Sequence, residues 1–179
     1  PINNNIYDIS FFRHRIEKYG IIMVYFQPHH NISHLQERLN FIMDNIKKQR
    51  WKKYIIVGDT NAKHSTYDVR NQEDRRGKKL YDWLLKHDII MTNPGIVTYF
   101  KKGNTSTLDH VLCSSNIAHQ IEYQMSKTTT SDHFGIHFGK PMVNPHKSTQ
   151  MIYDIDKFDV HRFEEELNKI TDHLYRRTR

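Results

Sequence analysis

Tyr54-Ile55-Ile56-Val57-Gly58-Asp59-Thr60-Asn61-Ala62-Lys63 is the stretch on which the reading of this chain turns. Tyr54 to Val57 are apolar and mostly β-branched, the composition of a buried strand in an α/β sheet. Gly58 loosens the backbone, and Asp59 and Asn61 follow at the carboxyl end of the strand, the edge where open α/β sheets bind ligands. Residues two apart on an extended chain point the same way, so a carboxylate and a carboxamide project together. The carboxylate can take a proton, orient a water or hold a metal; the amide can donate to a phosphate oxygen without adding negative charge. A plain turn uses the same residues, since Gly-Asp and Asn end many strands. Two acidic segments further along favour chemistry over a turn.

Upstream, Gly20 to Tyr25 reads as a second buried strand, stopped by Pro28, which cannot continue a ladder. Tyr25 thus sits at a strand end, where its hydroxyl either reaches a ligand or straddles core and solvent as many tyrosines do. Residues 1–18 are polar and aromatic with little period, a loop or an edge strand. Between the two strands, Ser33 with Gln36 makes a capping-box pattern, and Leu35, Leu39, Ile42 and Ile46 recur at helical spacing. The basic helix end, Lys47, Lys48, Arg50, Lys52 and Lys53, suits the negative pole of the helix dipole better than a nucleic-acid contact. Strand, helix, strand makes a βαβ-like unit, with antiparallel pairing left open.

Downstream, residues 64–75 are polar and loop-like, and His64 has no partner at metal-ligand spacing, so it reads as a loop histidine. A helix from about Gly77 to Lys86 carries Leu80, Trp83 and Leu84 on one face, and Asp88 to Met91 is a short strand. Thr98 to Phe100 leads through a Gly103-Asn104 turn into Ser106 to Leu112, a strand with Asp109 inside it. A carboxylate in an apolar strand costs free energy unless it is paired, and a histidine or a metal is the natural partner. His110 points to the opposite face. Asp132 and His133 stand at the start of a last strand, Phe134 to Phe138, after another at Ile121 to Met125, and His133 supplies the ring that Asp109 lacks. A carboxylate holding an imidazole fixes its tautomer.

Composition narrows the partners. The chain has 179 residues, 37% hydrophobic and 12% aromatic, which is globular rather than disordered. Its formal charge is +7, and the first 150 residues carry 21 Lys/Arg against 13 Asp/Glu. The basic surplus therefore lies on the part that contains Asp59 and favours polyanions, nucleic acid before anionic membrane. The single cysteine, Cys113, forbids an internal disulfide, reads as packing rather than nucleophile and points to an intracellular location, nuclear or cytoplasmic. Nothing reads as a signal peptide or a transmembrane span. The chain starts at Pro1 without an initiator Met and is expected to be a fragment.

Taken in order, Tyr25-Phe-Gln-Pro28, Gly58-Asp-Thr-Asn-Ala62, Ser106-Thr-Leu-Asp-His110 and Ser131-Asp-His133 resemble the endonuclease/exonuclease/phosphatase superfamily. Asn61-Ala-Lys-His64, Arg76-Gly77 ahead of Leu80, and Val97-Thr-Tyr-Phe100 are similar in particular to the apurinic-like endonuclease domain of non-LTR retrotransposons of the jockey and R1 type. The match runs over about residues 20–139. It implies a mixed α/β fold, a four-layer sandwich of the DNase I-like type, and hydrolysis of a phosphodiester in double-stranded DNA with Mg²⁺ or Mn²⁺. It further implies that His133 contacts the scissile phosphate and is held by Asp109. Asp59 then orients or deprotonates the attacking water, Asn61 and Tyr25 hold the phosphate, Asp132 lies at the metal, and Thr98 and Ser106 contact DNA. A reverse transcriptase domain is the expected C-terminal neighbour in a parent polyprotein.

The chain departs from that pattern near its start. The family carries an Asn and then its main metal-binding Glu on strands well before the Tyr-Pro segment, whereas 24 residues precede Tyr25 here and Glu17 does not fit such a strand. The expectation is an N-terminally truncated domain with its first strands missing and weak or no activity alone. Thr60 stands where an aromatic is common. The expected organisation is an endonuclease-like domain over residues 1–140, a linker over 141–155 and an amphipathic helix over 156–179 bearing Phe163, Leu167, Ile170 and Leu174. The competing readings are an inactive DNA- or protein-binding remnant of the same fold and a lipid phosphodiesterase or phosphatase.

Overall fold

In a computed structural model, residues 8–14, 18–68, 70, 72–126 and 131–139 are described. The chain divides into two compact units, Pro1–Val143 and Asn144–Arg179. The second unit, and with it the expected linker and terminal helix, lies outside the described residues, as does Glu17.

Five strands make the central sheet: β1 (Ile9–Arg13), β2 (Gly20–Tyr25), β3 (Tyr54–Asp59), β4 (Ile89–Met91) and β7 (Asp109–Ser114), in the spatial order β1-β2-β3-β7-β4. Residues 9–13 are thus an edge strand, antiparallel to β2. Helix α1 (Ile32–Lys48) crosses between β2 and β3, which pair in parallel, so the first unit is a true βαβ crossover. The β7 strand returns antiparallel to β3, and β4 pairs antiparallel to the other side of β7.

Alternation along the strands divides the core. Ile22, Val24, Tyr54, Ile56 and Leu112 face Leu35, Leu39, Ile42 and Ile46 of α1 and Leu80, Trp83 and Leu84 of α2 (Arg75–Lys86). The opposite face carries Ile55, Val111 and Cys113, covered by Ile117 of the short α3 (Ser115–Ala118). Ile136 and Phe138 of β9 (Gly135–Gly139), which pairs with β8 (Glu122–Ser126), cover it too. The described residues therefore supply three layers: helices, sheet and an antiparallel hairpin. Burial pushes the Cys113 thiol up to about 11, so it packs as an inert apolar group.

The helix ends differ by two residues from the sequence reading. Asn31, not Ser33, caps α1, its Oδ1 accepting from His34 N (2.9 Å) and from Ser33 Oγ (2.7 Å). Asp74 caps α2 through Gly77 N (2.6 Å), so Gly77 lies inside the first turn. A Cβ there would stand 1.7 Å from Lys63 O; glycine lets the helix end press onto the loop that follows β3. No described helix is long and apolar enough to cross a membrane.

Candidate active site

Gly58 sets the position of Asp59. Its φ is +142°, and a Cβ would meet Val24 O at 1.9 Å, so only glycine brings β3 this close to β2. In the resulting register Tyr25 stands opposite Asp59, and Asp59 opposite Asp109. Three neighbouring strands thus deliver Tyr25, Asp59 and Asp109 as one row at the rim of the sheet. Tyr25 is 49% exposed.

Asp109 is the first residue of β7 rather than a residue within it, because the segment read as one strand breaks at Thr107-Leu108 into β6 (Asn104–Ser106) and β7. Thr107 turns inward: its N–H donates to the buried Asp68 carboxylate (2.8 Å) and its hydroxyl to Ile96 O (2.6 Å). Asn93 holds the start of β7 from the other side, donating to Asp109 O and accepting from Val111 N. Asp68 and Asn93 escaped the sequence reading; both are polar residues that the fold buries completely.

His133 reaches the row from the far end of the chain. Its backbone bridges Tyr99 of β5 (Tyr99–Lys101), its ring meets the Tyr99 ring edge-on at 5.0 Å, and its N–H donates to Ser131 Oγ. Nδ1 lies 2.8 Å from Asp109 Oδ2. An ionised carboxylate only accepts, so Nδ1 carries the proton in this contact and the tautomer is set. The paired carboxylate and imidazole expected from the sequence are therefore in contact.

Asp59 is the perturbed acid of the group. Burial pushes its carboxyl up to about 6, and the Asp109 charge adds to the rise, while the Asn61 N–H donors and His133 pull it back. Asn61 sits in the left-handed region at φ +45°, which asparagine tolerates. Its backbone N–H donates to Asp59 Oδ1 (2.9 Å), and its Nδ2 to Asp59 Oδ2 (2.9 Å) and Phe26 O (3.2 Å). The donors of this amide, expected at a phosphate, are used inside the protein, where they orient Asp59.

Thr98, expected at a DNA contact, faces inward. It is fully buried, and its Oγ1 accepts from Leu108 N and Asp109 N, both at 2.9 Å. It supports the β7 start, with its hydroxyl turned inward and away from the surface. Thr98→Val should cost about 2 kcal/mol in urea unfolding, because two buried N–H groups lose their acceptor, while Thr98→Ser should stay close to the parent. Ser106 is buried as well, but lines an open pocket of about 320 Å³ with Lys63, Tyr99, Lys101, Lys102 and Asn104.

Asp132 does not join the acidic centre. Its Oδ2 accepts from Lys101 Nζ at 2.9 Å, and that bond holds its carboxyl below the usual range. An ammonium on the carboxylate disfavours a second cation there, so the expected metal role is not what the geometry supports. Among the described residues the group that can hold a metal ion is Asp59, Asp109 and His133, one ligand atom from each lying within 4.8 Å of the others. Two carboxylates in register, one with a raised pKa, suit a hard divalent cation. His64, read as a loop histidine, pairs through Nε2 with Glu73 (2.9 Å) and stacks on Tyr81.

The fold is similar to the endonuclease domain of TRAS1, a telomere-specific non-LTR retrotransposon, at a TM-score of 0.63 and 24% identity, over 76% of this chain and 65% of that chain. The chain thus spans less than two thirds of that structure. The Haemophilus ducreyi cytolethal distending toxin follows at a TM-score of 0.47 and 16% identity, over 75% of this chain and 52% of that chain. A mannosyl-6-phosphatase of Bacteroides thetaiotaomicron gives 0.45 and 14%, over 70% and 52%. No curated protein sequence matches. The architecture is that of the DNase I-like endonucleases, and a profile of one family matches residues 19–137. That profile covers well over half of the chain, which therefore belongs to the endonuclease-reverse transcriptase family.

Proposed function

We propose that the chain is a divalent-metal-dependent endonuclease that nicks duplex DNA. The observation that carries this reading is the convergence of Asp59, Asp109 and His133 within 4.8 Å at the rim of the sheet. Phosphodiester hydrolysis needs a proton acceptor for the attacking water, donors for the phosphate and positive charge for the developing oxyanion. Asp59, both of whose oxygens are held by Asn61, orients the attacking water, and a bound divalent cation would make that water easier to deprotonate. Asp109 accepts from His133 Nδ1, and only with both ring nitrogens protonated is Nε2–H the donor offered to the phosphate, the form that the Asp109 carboxylate holds in place. Tyr25, half exposed beside Asp59, offers its hydroxyl to the same phosphate. Mg²⁺ or Mn²⁺ held by the Asp59 and Asp109 carboxylates would supply the positive charge. Lys63 and Lys102 around the Ser106 pocket suit the flanking DNA backbone. A reverse transcriptase in the same polyprotein is the partner this family description brings with it.

The test sets supercoiled plasmid against lipid headgroup phosphodiesters, each with Mg²⁺ and with chelator. Weak nicking that the chelator abolishes, with lipids untouched, is the expected result. Lipid turnover without nicking would replace this reading with a lipid phosphodiesterase. Mn²⁺ binding followed by electron paramagnetic resonance reports on the centre without turnover: Asp59→Asn should weaken it by roughly tenfold or more, and undiminished affinity would remove these carboxylates from the metal site.

A further inference from the structure

Arg76 takes no part in the chemistry above, yet it is only 9% exposed. A buried cation costs several kcal/mol unless its donors are satisfied. Its hydrogen bonds go to backbone carbonyls: Nε to Asn61 O (2.9 Å), Nη1 to His30 O (2.7 Å), and Nη2 to Thr60 O (3.2 Å) and Phe26 O (3.4 Å). Phe26 and His30 belong to the loop that leaves β2 after Tyr25. Thr60 and Asn61 belong to the loop that leaves β3 after Asp59. A planar fork with five donors is the side chain that can tie four carbonyls of two segments at once. Gly77, next in sequence, lets the helix end come down onto the same loop at Lys63, and Asp74 N also donates to Lys63 O (3.0 Å).

We propose that Arg76 is a positioning residue for Asp59, acting through Asn61. Asn61 grips both Asp59 oxygens, and it does so from a left-handed backbone conformation. Arg76 fixes the Asn61 carbonyl and also the Phe26 carbonyl that receives the second Asn61 Nδ2 proton. The order of control runs from guanidinium to amide to carboxylate, and Arg76 itself touches no reacting atom. The catalytic consequence rests on the endonuclease reading; the structural one does not.

Full-length chain carrying Arg76→Met or Arg76→Lys, followed by ¹H–¹⁵N spectroscopy, tests the proposal. In the parent the two Asn61 Nδ2 protons should exchange slowly with water. In Arg76→Met they should exchange about tenfold faster or more, together with the Asn61 backbone N–H, while Val111 to Cys113 in β7 stay protected. Lys keeps the charge but not the fork, so it should fall between the two, and it carries the comparison if Met does not fold. In nicking, kcat should drop roughly tenfold or more with KM within about twofold. A role in stability alone would lower Tm and leave Asn61 exchange and kcat unchanged, and that result would overturn the proposal. If the parent does not nick DNA, the endonuclease reading fails by itself and the exchange data still decide the role of Arg76.

Discussion

His133→Ala should slow metal-dependent nicking by about a hundredfold or more, a loss of roughly 3 kcal/mol of transition-state stabilisation, the scale seen when one donor to a developing oxyanion is removed. The loss should fall on kcat, with KM little changed, because the imidazole is assigned to charge that grows as the bond breaks. The substitution deletes a ring that is 30% exposed and whose Nδ1 rests on Asp109, so the five-stranded sheet should survive it. Asp109→Asn is the companion variant. An amide carries no negative charge to hold the doubly protonated ring that donates to the phosphate, so a loss in the same direction is expected from a change of one group. Single-turnover assays separate these effects from binding, and nicking that survives His133→Ala would remove the histidine from the reaction.

The second large effect is a loss of stability in acid that traces to His110. This ring is fully buried, with Nδ1 2.8 Å from Thr60 Oγ1 and the Tyr67 ring edge-on at 4.8 Å. Burial lowers its pKa from the ordinary 6.5 to about 4, against smaller opposing effects of the Thr107 backbone and the Asp68 charge. Between these values the unfolded chain binds a proton that the folded chain refuses. Stability is therefore complete above pH 6.5 and falls as the pH drops toward 4, by about 3 kcal/mol over the window. Urea unfolding from pH 7.5 down to 4.5 measures the slope. His30 and His87, also lowered mainly by burial, act in the same direction, so the diagnostic is the difference from His110→Asn, which lacks the titrating ring. Parallel slopes in the two proteins would refute the assignment.

Much of the framework could be read from residue order because local and global preferences agree there. Leu35, Leu39, Ile42 and Ile46 face the sheet as their spacing requires, and Tyr54 to Val57 lie in the strand their composition demands. The pairing of Asp109 with His133 was legible because an ionised group in an apolar setting has few affordable partners. What could not be read was direction. Nothing local tells that the Thr98 hydroxyl turns inward to cap the β7 start, or that both Asn61 donors turn back onto Asp59 and Phe26. Those choices depend on segments 10 to 35 residues away. The break at Thr107 was hidden for the same reason, since it answers to Asp68 and Ile96. Asp132 looked like a ligand beside His133 until Lys101, 31 residues distant, claimed it.

The imidazole is brought in by the last described strand pair, on a single bridge to Tyr99, whereas every residue of the five-stranded sheet has been translated by Ser114. The two carboxylates and the imidazole therefore sit on separately held parts of the fold. Loosening of the Tyr99 bridge would withdraw the ring and leave both acids in their row.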